Sequence, residues 1–281
     1  MDARTVALMH VGDLSGAVTS GTSLIETAES AGDLGLATRG RCNTASVLNH
    51  LGMFEEAQAL AERALHDARG RRMRILEAFA LHNGGMSQAR LGNLDEGISA
   101  QRHAARIADE TGAARLRIQS RCYEALFLVW RGAPGDLGAA HNLARFIAEE
   151  TRQNPSLYWL GLFVMARVQL ARRYLESALE AAREVDRRLA AGPVEEWDEL
   201  MRLTHVEALL ALDHAEEADA ALDAAFQTVV AHAAAIRRAD HRRAFLGRNE
   251  EVRHIVELAH ERLGRVLPEF AQTSSPRPPS P

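Results

Sequence analysis

Leu51-Gly52-Met53-Phe54-Glu55-Glu56-Ala57 returns forty residues later as Leu91-Gly92-Asn93-Leu94-Asp95-Glu96-Gly97. Forty residues before Gly52 stands Gly12, in Val11-Gly12-Asp13-Leu14, and forty after Gly92 stands Gly132. The next steps fall on Arg172-Arg173-Tyr174-Leu175-Glu176-Ser177-Ala178 and on Asp213-His214-Ala215-Glu216-Glu217-Ala218. Six copies of one turn at this spacing, each flanked by helical patterning, mark a stacked repeat array.

Each period resolves into two helices. After Gly52, the residues Phe54, Ala57, Ala61, Ala64 and Leu65 recur at i, i+3, i+7, i+10 and i+11, which is one face of an amphipathic helix. The spacing predicts helix pairs over 34–51 and 54–68, 76–91 and 94–108, 114–131 and 137–148, 156–171 and 174–189, and 194–212 and 215–236. Pro155 and Pro193 stand at first helical positions, where proline is favoured. The Gly132-Ala133-Pro134-Gly135-Asp136 turn is longer than the others. A further helix over 244–263 is expected to cap the stack. The chain thus divides into an array over 1–236, a capping helix within 237–264 and a tail over 265–281. That tail, whose end is rich in Ser and Pro and cannot form a packed core, is expected to be disordered. Only about ten residues precede Gly12, against sixteen to eighteen in other first helices. The array is therefore expected to begin in mid-repeat, either as a piece of a longer protein or packed against another element.

Composition narrows the function. The chain has 281 residues, is 47% hydrophobic and carries a formal net charge of −5, which gives no reason to expect nucleic acid or an anionic membrane as partner. No apolar run approaches the ~20 residues that span a bilayer. No signal peptide is visible, so a cytoplasmic location is the default expectation. All 33 Lys+Arg residues are arginine. Without lysine there is no P-loop lysine, no kinase phosphate-pairing lysine and no Schiff base for pyridoxal phosphate. No nucleophile has a plausible local base and no glycine-rich phosphate loop is present. A non-catalytic protein with no cofactor is expected.

Cys42, His82 and Cys122 share one register in three successive repeats. Neighbouring helices stack at roughly 8–10 Å, so the sulfurs lie some 20 Å apart (two such steps), too far for zinc or a disulfide. They read as small core side chains.

At 51–57, 91–97 and 172–178 the chain resembles tetratricopeptide repeats, whose helices meet at a Gly-x-aromatic-x-x-Ala turn. Gly12, Gly52 and Gly92 match the glycine, Phe54 and Tyr174 the aromatic, and Ala17, Ala57, Ala140, Ala178 and Ala218 the small residue. Asn43 and Asn83 match an asparagine frequent in the first helix. The period near forty is similar to the longer-helix variety found in bacterial signalling proteins. Residues 243–264 are similar to the end of arrays carried by large kinases and ATPases. The resemblance implies an all-α, right-handed superhelical solenoid of about five and a half helix pairs. It also implies a protein or peptide partner, with an upstream kinase or ATPase domain of a longer chain as one possibility.

In such arrays the first helix of each pair lines the concave face. Positions thirteen, ten, six, three and two residues before each turn glycine place Arg39, Asn49, His50, Phe79, His82, Arg90, Trp130 and Trp159 in a groove that runs from basic to aromatic. Arginine pairs with carboxylates through a planar fork, and aromatic residues anchor recognition surfaces. The expectation is that Arg39, Asn49, His50 and Arg90 hold polar or acidic parts of a peptide, while Phe79, Trp130 and Trp159 grip its apolar side chains. The bland reading of both tryptophans is inter-helix core. A scaffold or sensor role in bacterial signalling follows, with a small-molecule or peptide-sensing regulatory domain as the alternative.

Overall fold

A computed structural model describes residues 3–10, 12–192 and 197–269. Those residues form fourteen helices: α1 (Ala3–His10), α2 (Leu14–Ser30), α3 (Leu34–His50), α4 (Phe54–Gly70), α5 (Arg74–Arg90), α6 (Leu94–Glu110), α7 (Ala114–Arg131), α8 (Asp136–Thr151), α9 (Pro155–Ala171), α10 (Leu175–Ala190), α11 (Asp198–Ala211), α12 (Ala215–Ala235), α13 (Ala239–Arg248) and α14 (Glu250–Leu263). Consecutive helices pack as antiparallel hairpins, in the all-α repeat array expected from the sequence.

The underlying beat is twenty residues rather than forty. Helices α2 to α6 are each 17 residues long, and similar short turns separate them. A residue with positive φ sits at the same point of each turn: Gly12, Gly32, Gly52, Arg72, Gly92 and Gly112. The next residue donates its N–H five positions back, as in Asp33 to Ala28, Met53 to Leu48 and Asn93 to Gln88, all at 2.8–2.9 Å. This closure absorbs carbonyls that the helix end would otherwise leave unpaired. Turns within and between repeats therefore share one geometry.

Packing depends on small residues where the second helix crosses the first. A side chain at Gly97 would place its Cβ 2.9 Å from the Gly85 carbonyl oxygen, so α5 and α6 approach nearly backbone to backbone. Neighbouring repeats are also joined by amides. Asn83 donates to the Cys42 carbonyl at 2.9 Å, Asn49 donates to the Asn83 carbonyl at 3.0 Å, and Ser87 donates to Asn49 Oδ1 at 2.8 Å. The Asn83 position of the family pattern thus ties α5 to α3.

The carboxyl-terminal part departs from expectation. In place of one helix over 244–263 there are two, because Asn249 is extended (φ −78°, ψ 116°) and buried. Its amide donates to the Phe245 and His50 carbonyls at 3.3 and 3.1 Å. The expected helix start at Pro193 falls on residues 193–196, outside the described residues, and α11 begins at Asp198. Of the tail expected to be disordered, residues 270–281 also lie outside them, whereas Arg265 pairs with Asp223 at 2.7 Å and Leu267 packs on the core.

Rather than sitting only on the last repeat, α13 and α14 return to the first ones. The α12–α13 junction bonds to Ser15 through the Arg238 N–H at 3.2 Å, and His241 Nδ1 meets the Ser15 hydroxyl at 3.2 Å. Arg237 pairs with Asp13 at 3.2 Å and Arg248 with Glu55 at 2.6 Å. One apolar cluster runs from Ala17, Val47 and Leu51 into Leu203, Val206, Phe226, Phe245, Val252 and Ile255. The two ends of the array share a core.

Candidate interaction surface

The odd-numbered helices pack side by side, α3 on α5, α5 on α7, α7 on α9 and α9 on α11, and form the inner wall. On α5, residues 75, 79, 82, 86 and 90 lie one above the other by helical spacing. The matching stripe on α3 runs through 35, 39, 42, 46 and 50. Toward the carboxyl-terminal ends of these helices Ser46, Asn49 and His50 meet Asn83, Met86, Tyr123, Trp197, Glu199, Asn249 and Glu251 around a cavity of about 30 Å³. Such a space holds a water or two.

The wall is divided in two. Near the hairpin turns it is covered by the chain's own α13 and α14. Arg90 donates through Nη1 and Nη2 to both carboxylate oxygens of Glu251, at 2.9 and 2.8 Å. Its guanidinium lies 4.7 Å over the Trp130 ring. The side chains of Arg90 and Glu251 are 5% and 12% exposed. The arginine–carboxylate pairing expected with a partner is thus made within the molecule. This cover is not a light flap. Phe245, Leu246, Val252 and Ile255 are buried, and at roughly 1.5–3 kcal/mol per side chain lifting them costs on the order of 6–12 kcal/mol. That approaches the whole stability of an ordinary domain, ~5–15 kcal/mol.

The rest of the predicted set separates accordingly. His82 is buried, with Nδ1 2.9 Å from Gln101 Oε1 and 3.1 Å from Ser120 Oγ, and its ring meets Tyr123 edge-on at 4.9 Å. Burial depresses its pKa to about 4, partly opposed by the Gln101 bond. Asn49 is buried in the inter-repeat amide chain, and His50 offers its carbonyl to Asn249. Trp159 is buried, and Trp130 is half-buried beneath Arg90. Arg39 and Phe79 are exposed, Phe79 at 38%, and Ile75, one turn before it, is 37% exposed. These three mark the stretch of wall that α13 and α14 leave open.

Sequence reasoning missed the residues that enter the concavity from the far end. Trp197, at φ +63°, precedes α11, and its ring lies 4.2 Å from Tyr123 and 5.4 Å from Phe163. Glu199 accepts from His232 Nδ1 at 2.7 Å. Burial pushes the Glu199 carboxyl up, but the His232 bond and charge outweigh it and hold its pKa below the usual value. For His232, burial pulls down while the Glu199 bond and charge raise the pKa overall. The run Asn249-Glu250-Glu251 is a local helix-start signal, yet nothing in it names Arg90.

A crystal structure of a tetratricopeptide repeat protein from Parabacteroides merdae ATCC 43184 aligns over 90% of this chain and 95% of its own, with a TM-score of 0.50 and 12% identity. The chain has the tetratricopeptide-repeat fold. The TPR2AB-domain:pHSP90-complex of yeast Sti1 aligns over 89% of this chain and 99% of its own, at 13% identity and a TM-score of 0.33. No family model matches the sequence, and no curated protein matches it. Within the described residues no helix of the tetratricopeptide array is long and apolar enough to cross a membrane.

Proposed function

We propose that the chain is a non-catalytic protein-interaction module that binds a peptide or protein segment along the open stretch of its inner wall. One observation carries the reading: Ile75 and Phe79 stand exposed one helical turn apart on the inward stripe of α5, at the register of Arg39 on α3. Aromatic anchors beside arginine are typical of recognition surfaces. Within that reading the module is a scaffold or sensor part of a bacterial signalling system, with a kinase or ATPase domain among its candidate partners. Arg90, Trp130, His50, Asn49, His82 and Trp159 serve behind the surface, holding the wall in shape. In the ligand-sensing alternative the small molecule would sit not in the central cavity of about 30 Å³, which admits only water, but in one of about 360 Å³ lined by Asp186, Arg202, His205 and Glu217.

A photo-crosslinking side chain placed at position 79, and separately at the exposed Tyr174 on a hairpin turn, tests the reading in cells. The expected result is a discrete adduct from position 79 alone, lost when Arg39 is replaced by Glu. Equal labelling from both positions, or none from position 79, refutes it.

A further inference from the structure

We propose that the partner segment is acidic, an amphipathic stretch whose apolar residues rest on Ile75 and Phe79 and whose carboxylates meet Arg39, Arg71 and Arg72. The proposal rests on the interaction-surface reading above and adds the chemistry of the partner. It starts from an imbalance of charge at one edge of the wall. Arginines close by are neutralised within the molecule: Arg41 by Glu29 and Asp67, Arg69 by Glu77, and Arg74 by Glu77 and Glu110. Arg39, Arg71 and Arg72 are exposed and make no ion pair among the described residues. Unneutralised guanidinium groups thus gather on a chain whose formal net charge is −5.

Their placement is tight. Arg71 and Arg72 form the turn leading into α5, and Ile75 is the second residue of that helix. Arg39 stands at the Phe79 register on the adjacent α3, whose axis lies roughly 8–10 Å away. Arg72 also has φ +57°, where the corresponding turns at 32, 52, 92 and 112 have glycine. Arg173 (φ +65°) and Asp213 (φ +60°) take the same conformation at later turns, so the turn geometry accommodates an arginine here and leaves its side chain at the edge of the wall.

The other half of the same wall provides a second argument. It is already occupied by an acidic segment, the Glu250–Glu251 start of α14, held by a bidentate arginine over an aromatic ring. Arg39 beside Phe79 offers an incoming carboxylate the same pair of groups. An amphipathic helix laid into a groove by apolar anchors at i and i+3 or i+4, with charges alongside, fits this surface.

The test uses the full chain and three labelled peptides. One carries Leu at helical i, i+3, i+4, i+7 spacing among Glu residues. The second is identical with Lys for Glu, and the third keeps the Glu residues with Ser for Leu. Binding is read by fluorescence anisotropy, and the site by hydrogen exchange of the protein. The Glu–Leu peptide is expected to bind at least tenfold more tightly than the other two and to slow exchange in α5. Arg39→Glu with Arg72→Gly should weaken it at least tenfold, while Arg39→Gln alone gives an intermediate loss. Circular dichroism melts confirm that the variants fold. If the Lys–Leu peptide binds as well or better and is lost in Phe79→Ser, the acidic partner is refuted while the surface stands. If no peptide shows Phe79-dependent binding, the acidic chemistry and the surface fall together.

Discussion

Removing Glu251 tests whether the carboxyl-terminal helices are fastened to the inner wall. In Glu251→Ala the Arg90 guanidinium, 5% exposed, loses both carboxylate oxygens. Breaking one partner out of a buried pair costs about 3–5 kcal/mol. The Trp130 face beneath Arg90 offsets part of that, by up to ~2 kcal/mol for a desolvated cation over an aromatic ring, so about 1–5 kcal/mol is expected. In Arg90→Ala the carboxylate left behind sits at the α14 amino terminus, whose free N–H groups contribute roughly 0.3–1 kcal/mol to an anion, but the cover over Trp130 is lost as well. The double variant Arg90→Met, Glu251→Leu leaves no unpaired charge and should be more stable than Glu251→Ala, since apolar replacement of a buried pair is often neutral. Urea unfolding of the wild type, both single variants and the double variant Arg90→Ala, Glu251→Ala gives the coupling energy, expected above ~1 kcal/mol for groups in direct contact. Hydrogen exchange should show α13 and α14 opening first in the single variants. Single effects below ~0.5 kcal/mol that simply add would refute a fastened cover.

Three further outcomes follow from the geometry. Gly112→Ala and Gly52→Ala both force a side chain into positive φ, but a Cβ at Gly112 meets nothing whereas one at Gly52 lies 2.9 Å from the Ala244 carbonyl oxygen. The first should cost about 1–2 kcal/mol and the second clearly more; equal losses in denaturant midpoint would contradict the close seating of α13. His82 is held neutral, with its pKa lowered from 6.5 to about 4, so its contribution is present above 6.5 and is lost as acid protonates the unfolded chain. That gap is worth about 3 kcal/mol, and His82→Asn should flatten the fall in stability between pH 6.5 and 4. His232 works in the opposite sense. Its pKa is raised above 6.5, so its gain is full below that value and disappears as pH rises through the raised one, and His232→Gln should remove that alkaline slope in pH-resolved melts.

Most of the architecture was legible because it is local. Glycine at positive φ fixes a turn wherever it stands, so Gly12, Gly52 and Gly92 set the hairpins without reference to the rest of the chain. The twenty-residue beat was harder to read because Arg72 takes the glycine conformation without being glycine. The stripes were also readable: helical spacing alone places Ser46, Asn49, His50 and Met86 around one cavity. What covers them was not. Arg90 and Glu251 are 161 residues apart, and a charge pattern on one helix says nothing about which distant carboxylate will reach it. Trp197 gave no signal either, since its role depends on the Tyr123 and Phe163 rings that tertiary packing brings to it.

Shared burial of Ala17 and Val47 with Phe226 and Ile255, together with the Asp13–Arg237 and Ser15–His241 contacts, alters the mechanics of the array. An unfastened stack of hairpins yields like a spring, each interface giving a little. Tension drawn between the first and last hairpins here would load the seam before it reached the stacked interfaces. The protein would respond as a clasp does, stiff until one abrupt release.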